Sequence, residues 1–237
     1  DFSRDVSAVL ERIPEQKVIL VSFASSNLTV FHLLKNTPAP EKLRGVILMD
    51  PDVLTHYSVG RYRSDAEPFF IRKQDYADYV LSGQYTPRAK EKNAQDWATL
   101  KRLAAQPGST NESIDWTQIE AVFAFRESIQ GQLATFKMVA NYYQNLAQAL
   151  DLFEGLSIDE RLPLSIVNTD FESAYLQQAE ASEHPGLVRW REEGDTWMQS
   201  LCLNRKRCRY LSLADQQHLV PFSQPDMIRA ELLRMEN

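Results

Sequence analysis

Apolar positions along this chain follow two alternating rhythms. Phe2, Val6, Val9, Leu10 and Ile13 recur at helical spacing, which predicts an amphipathic helix over about 3–13. The unbroken run Val18, Ile19, Leu20, Val21 then predicts a buried strand over about 17–23. Ser22, Phe23, Ala24, Ser25, Ser26 and Asn27 make a sharp turn into an amphipathic segment reaching about residue 34, which Asn36 with Pro38 and Pro40 brings to an end. A second apolar run over 43–49 reads as a buried parallel strand, closed by Asp50, Pro51 and Asp52.

From about 53 to 157 no strand-like run occurs. Long helical stretches dominate there, at about 93–105 and 116–153, and the second carries Phe123, Phe125, Phe136, Tyr142, Tyr143 and Phe153. Such a block is either an ordinary helical core, the commoner role of aromatics at helical spacing, or a cap over a site. Strand character returns over 162–167, followed by Asn168, Thr169 and Asp170. A helix with Leu187, Trp190, Trp197 and Leu201 comes next, then a last strand over 207–213, a loop containing His218, and a closing helix to about 235. Strands alternating with helices predict an α/β fold with a mostly parallel sheet flanked by helices. Ligands in such sheets bind beyond the carboxyl ends of the strands, where Ala24, Asp50, Asp52, Asp170 and His218 all fall.

Composition narrows the function classes. The 237 residues are 43% hydrophobic, enough for one large α/β domain with an insertion. A net charge of -6 without a basic run gives no electrostatic footprint for nucleic acid. No apolar run approaches the roughly 18 residues that span a bilayer, and the first residues have no signal-peptide character. Cys202 and Cys208 could form a disulfide, suiting an exported protein, or remain thiols, suiting the cytoplasm. No metal-ligand spacing and no glycine-rich phosphate loop occurs, so no cofactor is expected.

Ala24 stands where a nucleophile elbow would carry its serine. The elbow pattern G-x-S-x-G needs small residues two positions away on each side, and here those places hold Ser22 and Ser26. Asp170 and His218 follow in the order acid, then histidine, each just after a predicted strand. On these residues the chain resembles the α/β-hydrolase superfamily. Residues 20–28 resemble its elbow, 43–51 its following strand, 162–170 its acid-bearing strand, and 218–226 the loop that carries its histidine. The resemblance covers about half the residues, with 53–157 matching only as a cap of variable sequence. It implies a hydrolase core in two parts, 1–52 and 158–237, around a helical cap insertion at 53–157.

The resemblance further implies His218 as general base and Asp170 as its orienting acid, with Asp50 and Asp52 as reserve acids. The amide of Ser25 would supply half the oxyanion hole. A small apolar acyl substrate is the expected ligand. Two departures stand out. Ala24 has no group to attack a carbonyl, so the chain as written would be inactive, either as a substituted serine hydrolase acting on an ester or related acyl bond, or as a non-catalytic relative that binds a ligand or partner. Only 23 residues precede Ala24, which leads to the expectation that N-terminal strands are missing and that a further segment or a second chain completes the sheet.

Overall fold

The computed structural model describes residues 2–14, 17–36, 42–105, 114–153, 155–169, 171–177, 179–213 and 218–236. They form two compact units. The first comprises Asp1–Ser58, Ala149–Pro221 and Met227–Asn237, and the second Val59–Gln148 with Phe222–Asp226.

The first unit is built on four parallel strands, β1 (Val18–Phe23), β2 (Leu43–Met49), β3 (Leu164–Asn168) and β4 (Cys208–Ser212), which lie side by side in sequence order. The register sets Phe23 opposite Met49, Met49 opposite Val167 and Asn168 opposite Ser212. The four strands therefore end within one residue of a common level. The central strands are almost wholly buried, as continuous apolar runs in a parallel sheet require, whereas β1 and β4, the outer strands among the described residues, are only half-buried.

Alternation along the strands loads both faces of the sheet. Leu20, Val46, Leu48, Leu164 and Ile166 join a core with residues of α1 (Phe2–Arg12), α2 (Ser26–Asn36) and α9 (His184–Cys202). At its centre Phe31 packs edge-on against Phe153 and Trp197, at centroid distances of 5.5 and 5.2 Å. Ile19, Phe23, Ile47, Met49 and Val167 face the other way, toward Met227, Ile228, Leu232 and Met235 of α11 (Pro225–Glu236). Gly45 lies so close to this helix that a Cβ there would meet Met235 Sδ at 2.6 Å. A disulfide between Cys202 and Cys208 ties the end of α9 to the start of β4.

The second unit is helical: most of α3 (His56–Ile71), then α4 (Lys73–Leu81), α5 (Thr86–Ala104), α6 (Trp116–Glu127) and α7 (Ile129–Ala149). Stacked rings of Phe69, Tyr76 and Phe136 form part of its interior, and Trp97 packs against Trp116 and Phe123. The helix predicted over 116–153 is divided at Ser128, whose backbone is extended (ψ 151°). Ser128 Oγ accepts from the Gly131 amide at 3.1 Å, so the serine caps a new helix instead of continuing the old one. Gly131 belongs at that break, because a Cβ would sit 2.0 Å from the Phe125 carbonyl oxygen. A short 3-10 turn, Leu150–Leu152, ends the run. Two further short helices, α8 (Glu172–Leu176) and α10 (Val220–Ser223), complete the elements.

Candidate active site

The site forms where the strands stop. The ladder continues one residue past β1, β2 and β4: the Ala24 amide donates to Met49 O (2.9 Å), the Asp50 amide to Val167 O (2.8 Å) and the Leu213 amide to Asn168 O (2.7 Å). Ala24 and Asp50 are thereby held at adjacent strand ends, Thr169 directly follows β3, and His218 lies beyond β4 in the chain.

Ala24 adopts φ 51°, in the left-handed region that an L residue enters at a steric cost. The turn is enforced by side chains in place of elbow glycines. Ser22 Oγ donates to Asn27 Oδ1 (2.5 Å), and Asn27 Nδ2 donates to Ala24 O (2.6 Å) and Met49 O (3.1 Å). Ser26 Oγ donates to Phe23 O (2.5 Å) and accepts from the Phe23 amide (2.9 Å). Asn27 is fully buried, so its amide group is a stitch between the elbow and the end of β2.

Asp50 also has a left-handed backbone, φ 41°. Its side chain is wholly buried, and His218 Nδ1 lies 2.9 Å from its Oδ2. Thr169 completes the shell, its amide donating to Asp50 Oδ1 at 2.7 Å and its hydroxyl to Oδ2 at 2.5 Å. The His218 side chain is 37% exposed and packs against the rings of Phe23 (4.7 Å) and Phe171 (4.4 Å). An Nδ1–H donating to Asp50 leaves Nε2 as the nitrogen able to take a proton, the tautomer that a general base needs.

Behind Thr169, Asn168 Nδ2 donates to Tyr210 Oη (2.9 Å) and Asp195 Oδ1 (3.3 Å), and the Tyr210 hydroxyl donates to Asp195. Burial, with the Asp195 hydrogen bond second, pushes the Tyr210 phenol well above its ordinary range. This cluster ties the ends of β3 and β4 to α9.

The structure brings His218 to Asp50, one of the two reserve acids, and seats Ala24 at the elbow. Asp170, the leading acid expectation, lies outside the described residues. Ser25 is exposed in the turn before α2, beside Ala24. His32 and His184 make contacts away from the site, with Ser3 and Ala179 respectively, and His56 is exposed at the start of α3. Of the aromatics in the helical block, Phe123 packs on Trp97, Tyr143 stacks on Phe70, and Phe125 is half-exposed. Nothing in the sequence marks Thr169 or Asn27 as site residues; their only signal is position, one at the end of a strand and the other in the turn.

Among the described residues no cluster of three histidine, cysteine or acidic side chains could hold a metal ion, and no helix is long and apolar enough to cross a membrane. No family model and no curated protein sequence matches the chain. Solved structures resembling it include one of carboxylesterases from the thaumarchaeon Nitrososphaera gargenis, at 10% identity, 99% of this chain, 70% of that one and TM-score 0.46. A probable hydrolytic enzyme from Pseudomonas aeruginosa matches at 12% identity over 99% of this chain and 68% of its own, TM-score 0.47. MenH from S. aureus matches at 9% identity over 98% and 73%, TM-score 0.46. Among the described residues the fold is a parallel α/β sheet with its strands in sequence order, and Ala24, a buried aspartate and a histidine are gathered at the carboxyl ends of those strands.

Proposed function

We propose that this is the site of a hydrolase acting on an ester or related acyl bond through a Ser-His-Asp mechanism, with alanine in the nucleophile's seat. The observation that carries the reading is the conjunction of Ala24 in an elbow backbone at φ 51° with His218 hydrogen-bonded to the buried Asp50. In this reading Asp50, not Asp170, orients the imidazole and stabilises its charged form. A serine at position 24 would attack the acyl carbon, His218 Nε2 would take its proton and return it to the leaving group, and the Ser25 amide would face the developing oxyanion. Residues 53–157 take the role of the cap that selects a small apolar acyl group. With the methyl of Ala24 there is no acyl-enzyme, and the chain binds without turning over.

A second reading has its own support. The elbow is closed by Ser22, Ser26 and Asn27 without either glycine, a solution fitted to alanine as well as to serine, and it suits a ligand-binding module that keeps the hydrolase fold. The test is turnover of short-chain p-nitrophenyl esters by the Ala24→Ser protein. Saturable hydrolysis abolished by His218→Gln supports the hydrolase; a folded Ala24→Ser protein without turnover on any acyl chain supports the binding module.

A further inference from the structure

We infer that Thr169 is the positioning residue of this site, fixing the Asp50 carboxylate so that Oδ2 is presented to His218. The inference rests on the hydrolase reading for its kinetic consequence, but its structural content stands apart from that reading.

A carboxylate without solvent exposure must satisfy its oxygens from protein donors. Among the described residues, the donors to Asp50 are the Thr169 amide on Oδ1, the Thr169 hydroxyl on Oδ2 and His218 Nδ1 on Oδ2. One residue thus supplies two of the three bonds and contacts both oxygens, which fixes the carboxylate plane as well as its position. The backbone of Asp50 is itself tied, its amide donating to Val167 O, so the remaining freedom is rotation of the side chain. The two Thr169 bonds remove it.

Thr169 is well placed to do this. It is fully buried, and a β-branched side chain has few χ1 choices to lose. The residue before it is anchored twice: Asn168 O accepts from the Leu213 amide, and Asn168 Nδ2 reaches Tyr210 and Asp195. Both side-chain and amide bonds of Thr169 go to Asp50, so its action on the reaction runs through Asp50 and His218.

The first test needs no turnover. In the protein as it stands, the His218 Nδ1 proton shared with Asp50 is expected to give a downfield proton NMR resonance, assigned by its loss in His218→Gln, and the absence of any such resonance also overturns the inference. Thr169→Val is expected to shift this resonance upfield or broaden it away, and Thr169→Ser, which keeps the hydroxyl, to retain it. In the Ala24→Ser protein, Thr169→Val is expected to lower kcat about ten- to a hundredfold with KM nearly unchanged, and Thr169→Ser to restore most of it. A folded Thr169→Val protein with the original resonance overturns the inference. So does a folded Thr169→Ser protein that lacks it, which keeps the inference open to refutation if the valine variant fails to fold. If the resonances behave as expected while Ala24→Ser shows no turnover, the hydrolase reading fails and the positioning role stands.

Discussion

His218 Nδ1 lies 2.9 Å from Asp50 Oδ2, joining two residues 168 positions apart, one just after β2 and the other after β4. The bond gives the imidazole a fixed tautomer and orientation beside the elbow strand, with the Phe23 ring against it. It also gives a purpose to a buried carboxylate that would otherwise be costly to place in the core.

Ala24→Gly is expected to stabilise the fold. Alanine in the left-handed region carries a penalty of about 1 kcal/mol that glycine does not, and here it exceeds the entropy that glycine adds to the unfolded chain. Urea unfolding should show a higher midpoint with an unchanged slope.

Asn27→Ala should act in the opposite sense. Its amide group bonds Ser22 Oγ, Ala24 O and Met49 O from a fully buried position, so truncation leaves buried partners unmet and costs about 2–3 kcal/mol. Asn27→Asp should be no better, because it replaces the donor to two carbonyls with an acceptor. The same unfolding measurement checks both.

These stitches mark the boundary of what the sequence disclosed. The strands were legible because Val18 to Val21 and 43–49 are apolar runs of strand length, and a parallel core buries both faces. The elbow was legible from the serines around Ala24 at the end of such a run. The placement of Asp50 against His218 was not legible, because strand periodicity says where a residue falls and not which way its side chain leans once the strand has ended. Thr169 was invisible for the same reason: its role exists only where β2 and β3 stop within one residue of each other. The break at Ser128 was concealed because α6 and α7 share one helical rhythm, in which a capping serine looks like any other helix position.

Tyr210 should make stability fall at alkaline pH. Its folded-state value is raised, so the folded protein holds the phenol proton more tightly than the unfolded chain does. That contribution is complete below the ordinary tyrosine range near about pH 10 and drains as pH rises above it. Tyr210→Phe removes the bonds to Asp195 and Asn168, costs about 1–2 kcal/mol at neutral pH, and should flatten the alkaline decline. Thermal unfolding at pH values from about 7 to about 11 on the two proteins checks this.

The most direct test of the account is covalent labelling of the Ala24→Ser protein by a fluorophosphonate, followed by intact mass and peptide mapping. The account predicts one label, on the serine introduced at position 24, and none on the unsubstituted protein. It also predicts a labelling rate reduced about a thousandfold or more when Asp50→Asn is added, because that change breaks the tautomer control of His218. Labelling of the Ala24→Ser protein that is equally fast with and without Asp50→Asn would contradict the assignment of Asp50 and His218 to the elbow at position 24.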